Sequence, residues 1–102
     1  MSALITPDSK LYLSVCSLWE ITIKASLKRL KFSPTQMKTG VEDLGAEILN
    51  ISIEDLEILS KLPPLHADPF DRMIISQALA SGLTVLTSDE KFRDYPKLKT
   101  II

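Results

Sequence analysis

The sequence is short of the residues from which many chemistries are built. In 102 residues it has one cysteine, Cys16, one histidine, His66, and three glycines. A lone cysteine forms no internal disulfide, which excludes a disulfide scaffold and fits a reducing cytoplasm. A lone histidine excludes any relay or zinc cluster that needs several imidazoles. Gly40, Gly45 and Gly82 are isolated, so there is neither a Walker A loop nor a GxGxxG fingerprint. Apolar runs last only a few residues, too few to span a bilayer. Met1 to Pro7 lacks the basic stretch and long apolar run of a secretory signal. An excess of one charge is missing too. Twelve basic residues face thirteen acidic ones for a net charge of −1. Binding to nucleic acid must therefore come from a local patch or a bound metal, not from the charge of the whole domain.

What is present describes one ordinary globular unit. Hydrophobic residues make up 45% and charged residues 25%, and such a chain buries roughly 60–70% of its unfolded surface. A single domain over residues 1–102 is expected. Leu11–Val15 reads as a strand. A helical pattern follows from Ser14 or Ser17 to Leu30, with Trp19, Ile23, Leu27 and Leu30 on one stripe and Trp19 expected in the core. A further helix is expected within 34–45, between Ser33-Pro34 and Gly45. Ala46–Ile51 reads as a strand. Ile53–Leu62 reads as a helix with Leu56 and Leu59 inward, ended by Pro63-Pro64. Asp68-Pro69 opens the clearest helix, which carries Ile74, Ile75, Ala78 and Leu79 on one face and is closed by Gly82. Leu83–Thr87 suits a buried parallel strand. A short helical turn over Lys91–Tyr95 and a strand over Lys99–Ile102 complete an α/β order with a mostly parallel sheet.

Ligands of parallel sheets bind beyond the carboxyl ends of the strands. Three acids reach that edge: Glu20 early in its helix, Asp71 in the first turn of its helix, and Asp89 just past strand 83–87. Clustered carboxylates repel unless a cation intervenes, and hard oxygen donors suit Mg²⁺ or Mn²⁺. Such a site can activate water and steady a phosphodiester. Each acid also has an ordinary explanation. Ser17-Leu18-Trp19-Glu20 fits a capping box, and Glu20 is spaced to pair with Lys24. Asp68 is the expected helix cap, and Asp71 favours the helix dipole. Thr87-Ser88-Asp89-Glu90 fits another capping box. Asp71 stands apart because it shares the inward stripe of Ile75, Ala78 and Leu79. His66 reads as a loop residue, with auxiliary base as the alternative. Cys16 reads as a small buried hydrophobe. Lys24, Lys28, Arg29 and Lys31 form a basic run, either a solvated face or a contact for phosphates or an acidic partner. Lys91, Arg93, Lys97 and Lys99 form a second basic cluster.

Ser17-Leu18-Trp19-Glu20-Ile21, Lys24, His66-Ala67-Asp68-Pro69-Phe70-Asp71-Arg72, Ile75 to Leu79 and Leu86-Thr87-Ser88-Asp89 together resemble the PIN domain. More narrowly, they are similar to the toxin component of VapBC-type toxin–antitoxin pairs. The resemblance runs from about Leu4 to the C-terminus. It implies a Rossmann-like α/β/α sandwich and a Mg²⁺- or Mn²⁺-dependent endoribonuclease acting on RNA, with an antitoxin protein as partner. By motif position, Glu20, Asp71 and Asp89 match the family's acidic metal-site residues, and Asp68 matches an extra acid of this subgroup.

One departure from the pattern stands out. The family begins with a hydrophobic strand ending in aspartate, followed by a helical segment, and neither has a counterpart here; Asp8 does not match. An N-terminally truncated sheet is therefore expected, with strands 11–15 and 83–87 lacking their shared neighbour. Two consequences follow as expectations: a homo-oligomer joined along one of those strands, and impaired cleavage. The rival reading is an inactive PIN fold that serves as a binding or assembly module.

Overall fold

Pro7 and Asp8 turn the chain back almost at once. A computed structural model describes residues 2–102; Met1 lies outside the described residues. Ala3–Ile5 forms β1 and Leu11–Ser14 forms β2. Between them the Thr6 carbonyl accepts from the Ser9 N–H at 3.0 Å, and the Thr6 N–H donates to the Lys10 carbonyl at 3.0 Å. Pro7 takes the turn position that wants a fixed φ, and Ser9 takes the left-handed one at φ 71°. The Thr6 hydroxyl donates to Asp8 and holds the turn.

β2 runs straight into α1, Val15–Leu27. The helix is capped by Ser14, whose hydroxyl accepts from the Cys16 N–H at 3.1 Å. Of the two starts open in the sequence, Ser14 is the one used. The Ser17–Glu20 capping box does not form, because Ser17 is already inside the helix and buried. Arg29 at φ 54° turns the chain away before Leu30. Ser33 caps α2, Pro34–Asp43. β3 is Glu47–Leu49. A reciprocal Ser52/Asp55 capping box opens α3, Ile53–Lys61. Asp68 caps α4, Pro69–Ser81, which Gly82 closes at φ 66°. β4 is Thr84–Leu86, a 3₁₀ turn covers Glu90–Asp94, and β5 is Lys99–Ile101.

The five strands form one sheet in the order β3-β2-β1-β4-β5. β2 pairs parallel with β3, and β4 with β5; β1 pairs antiparallel with both β2 and β4. Four strands therefore point one way, as expected, and β1 alone is reversed among the described residues. This corrects the expectation of two half-sheets. Ala3, Leu4 and Ile5 face Leu86, Val85 and Thr84 on one side, and Leu4 and Ile5 face Tyr12 and Leu11 on the other. The backbone groups of strands 11–14 and 84–86 thus find their partners inside the chain, and neither strand offers a seam for a second copy.

Leu4 and Val85, both fully buried, form the centre of the core, with Ile75 and Ala78 of α4, Cys16 of α1 and Phe92 of the 3₁₀ turn around them. α4 buries Met73 to Ala78 without a break. The Trp19 stripe, expected inward, points outward: Trp19 is 56%, Leu27 80% and Leu30 63% exposed. α1 instead packs through Cys16, Ser17, Leu18 and Ala25. Leu56 is likewise exposed, and Leu59 alone of its expected pair rests on the core.

Candidate metal centre

α1 and α4 each present an acid to the edge of the sheet where β2 and β4 end. Glu20 stands in the second turn of α1, and Asp71 in the first turn of α4. Asp89 follows β4 and caps the 3₁₀ turn, its Oδ1 accepting from the Lys91 N–H at 3.0 Å. These three acids and Asp68 line one cleft of about 360 Å³, floored by Ile74 and Phe92 and walled by Ser2, Ser17, Thr87 and Ser88. All three carboxylates that the sequence placed at this edge line the cleft, but only Asp71 and Asp89 come together, with His66, while Glu20 lies outside that group.

Their surroundings differ. Glu20 Oε2 lies 3.1 Å from Lys24 Nζ, so the i,i+4 pair forms, and Lys24 itself lines the cleft. Asp68 performs its capping role: Oδ1 accepts from the Phe70 and Asp71 N–H groups at 2.8 and 3.2 Å. Thr87 Oγ1 accepts from the Asp89 N–H at 3.1 Å, so Asp89, not Thr87, is the cap of the following turn. Asp71 is the acid with no structural duty: among the described residues no hydrogen bond reaches its carboxylate, and its side chain is 23% exposed. Burial raises its pKa above the ordinary aspartate value. The nearby Asp68 charge adds to the rise, His66 opposes it, and Glu20 and Asp89 push it up further.

Arg72, next in sequence to Asp71, does not neutralise it. Its guanidinium donates to the carbonyls of Leu62, Pro63 and His66 at 3.4, 3.1 and 3.5 Å. The Tyr95 hydroxyl donates to the same Pro63 carbonyl at 3.0 Å. Together they clamp the loop before α4 and seat His66 against the acids. His66 Nε2 lies 3.4 Å from Asp71 Oδ2 and 3.7 Å from Asp89 Oδ2, with its side chain only 8% exposed. His66, Asp71 and Asp89 bring ligand-type atoms within 4.8 Å of one another. The sequence placed His66 in a loop but not in this cluster, because a loop residue has no periodicity from which its direction can be read.

The site end of the central strand carries a hydroxyl. Ser2 Oγ donates to Thr87 Oγ1 at 2.9 Å, both residues buried. Asp8 sits in the β1–β2 turn, at the opposite edge of the sheet, where the Thr6 hydrogen bond lowers its pKa. Lys28, Arg29 and Lys31 are exposed beyond the end of α1, outside the lining of the cleft. Cys16 is buried, and burial pushes its thiol pKa up, as suits a packing residue.

The donor set fits a divalent cation. Hard carboxylate oxygens line a cleft open to water, and Asp71, whose pKa is raised by burial and then by neighbouring like charges, gains when a cation arrives. No helix among the described residues is long and apolar enough to cross a membrane. None of the curated proteins compared matches the chain. Residues 2–98 match the PIN domain, nearly the whole sequence, and the α/β sheet with its four helices agrees with that match. The chain belongs to the PIN domain family, a family of nucleases.

Proposed function

We propose that the protein is a metal-dependent endoribonuclease of the toxin–antitoxin type, with weak intrinsic cleavage. The observation that carries this reading is that Glu20, Asp71 and Asp89 line one cleft, with the Asp71 carboxylate accepting no hydrogen bond among the described residues and only His66 beside it at 3.4 Å. Asp71, Asp89 and Glu20 would hold Mg²⁺ or Mn²⁺, with Asp68 beside them at the helix cap. When bound, the cation supplies Lewis acidity to a phosphodiester. The chain's own groups do the rest. Lys24 restrains Glu20 at the rim and offers a charge to a backbone phosphate. Lys28, Arg29 and Lys31 extend that positive edge for RNA.

Ser2 supports the qualification of weak cleavage. At the site end of the central strand a hydroxyl stands among the acids, so the cleft gathers fewer carboxylates than the family resemblance implies. The same observation favours a second reading, an inactive PIN fold that binds and assembles. The exposed Trp19, Ile23 and Leu27 face of α1 supports contact with a protein, either an antitoxin or a second copy. One buried free thiol fits a cytoplasmic location.

The test is cleavage of a labelled single-stranded RNA with Mn²⁺, run beside Mn²⁺ titration calorimetry. Weak, chelator-sensitive cleavage is expected, lost in Asp71→Asn. Ser2→Asp should tighten Mn²⁺ binding, as added ligand charge does at a hard-cation site, and raise cleavage with it. Cation binding with no cleavage, even after Ser2→Asp, would favour the binding module. A parent chain that binds no Mn²⁺ would sink the metal site.

A further inference from the structure

We infer that His66 is a positioning residue of this site: a fixed hydrogen-bond donor set between Asp71 and Asp89, and neither a metal ligand nor a base. The inference rests on the proposed role of those two acids. It starts from the other side of the ring. His66 Nδ1 accepts from the Asp68 N–H at 3.3 Å. A ring nitrogen that accepts carries no hydrogen, so the imidazole hydrogen is on Nε2.

That Nε2–H is buried and has no hydrogen bond of good geometry among the described residues. The acceptors in front of it are Asp71 Oδ2 at 3.4 Å and Asp89 Oδ2 at 3.7 Å. A histidine that binds a metal shows the reverse arrangement: the ligating nitrogen keeps its lone pair and the other one donates to a carbonyl or carboxylate. Here the outer nitrogen faces a backbone N–H. Ligation through Nε2 would break the Asp68 bond and turn a donor toward a donor. A base acting through Nε2 fails for the same reason.

As a donor, His66 does work that two facing carboxylates need. Its N–H places the positive end of a dipole between two like charges. It faces the Oδ2 atoms of both acids, while Asp89 Oδ1 is committed to the Lys91 N–H and Asp71 lines the cleft. The ring cannot swing away. Phe92 packs edge-on against it, with centroids 5.8 Å apart, and Arg72 holds its backbone carbonyl. Nε2–H is thus fixed behind the two acids that line the cleft, set to hold both at one spacing when a cation draws them in.

The single histidine makes the test direct, since a long-range ¹H–¹⁵N spectrum at mildly alkaline pH contains one imidazole. In the parent chain without metal, Nε2 should carry the hydrogen and Nδ1 should not, and saturating Mg²⁺ should leave that pattern unchanged. A hydrogen on Nδ1, or its transfer there when Mg²⁺ is added, would overturn the inference in favour of ligation. Mn²⁺ calorimetry provides the second measurement. His66→Leu should weaken Mn²⁺ binding roughly 10- to 100-fold, the range seen when groups behind metal ligands are removed. His66→Gln, whose amide donates from a similar place, should recover most of the loss. Parent-like affinity in His66→Leu, or equal loss in both variants, would also overturn it. A parent that binds no Mn²⁺ would remove the nuclease reading, while the tautomer measurement would still decide where the hydrogen sits.

Discussion

α1 and α4 are both 13 residues long, and each carries one acid of the cleft, yet their surroundings are opposite. α4 buries six consecutive residues, Met73 to Ala78, between α3, the sheet and α1. α1 buries Cys16, Ser17, Leu18 and Ala25, mostly small, and turns Trp19, Ile23 and Leu27 to solvent. The difference shows that an apolar stripe records a preference for burial without saying what will cover it. α4 is anchored by large aliphatic contacts. α1 is anchored by its N-terminus, where Ser14 donates to Gln77 Oε1 at 2.5 Å and Gln77 Nε2 donates to the carbonyls of Leu49 and Asn50. One buried glutamine of α4 thus ties down the start of α1 and the end of β3. Beyond that, Trp19 meets Phe70 edge-on, with centroids 5.0 Å apart, close to the start of α4.

Substitutions can sharpen the contrast. The largest effect is expected at Ile75, fully buried in α4. Ile75→Ala should cost about 2–5 kcal/mol in urea unfolding, a large part of the roughly 5–15 kcal/mol that holds such a domain together. A cost below about 1 kcal/mol would mean that α4 is not the better anchored helix.

Asp71→Asn should act in the other direction and by less. The folded-state pKa of Asp71 is raised above its unfolded value, so its contribution favours the fold below the unfolded pKa and is lost as pH rises through the folded pKa. At neutral pH the metal-free parent therefore carries a destabilising charge that asparagine removes. Thermal melts of the metal-free proteins should show the variant more stable at pH 7, with the gap closing toward acid pH. A gap that widens as pH falls would reverse the assigned sign.

The smallest effect belongs to α1. Leu27 is 80% exposed, and Leu27→Ala should change stability by no more than about 0.5 kcal/mol. A clear destabilisation, growing with protein concentration, would show that this face is covered by a second copy in solution.

The same contrast explains what could be read in advance. The start and end of α4 were legible because Asp68, Pro69 and Gly82 act on their own neighbours. The inward aim of Asp71 was legible because it shares a face with Ile75 and Ala78. Trp19 misled because it lies on a periodic stripe, while the residues that pack α1 are too small to stand out. β1 was missed although Thr6-Pro7-Asp8-Ser9 is a good turn between two apolar triplets. Three residues such as Ala3, Leu4 and Ile5 become a strand only where two strands wait on either side of them. His66 sits in a loop whose course is held by Arg72 six residues on and, through the Pro63 carbonyl, by the distant Tyr95, contacts that no local pattern announces.

The reversed central strand also affects how the molecule is assembled. A parallel strand between β2 and β4 would have to reach β2 by a long crossover. The reversed strand instead meets β2 across the five residues Thr6–Lys10, so its first pairings, Ile5 with Leu11 and Leu4 with Tyr12, are among the most local in the sheet. Closing so short a loop takes far less time than docking distant segments. The hairpin can stand as a template before α4 and β4 arrive. The slow part of folding then becomes the pairing of Ala3–Ile5 with Thr84–Leu86, some eighty residues away, and that late pairing is also the one that brings Ser2 to Thr87 and completes the wall of the cleft.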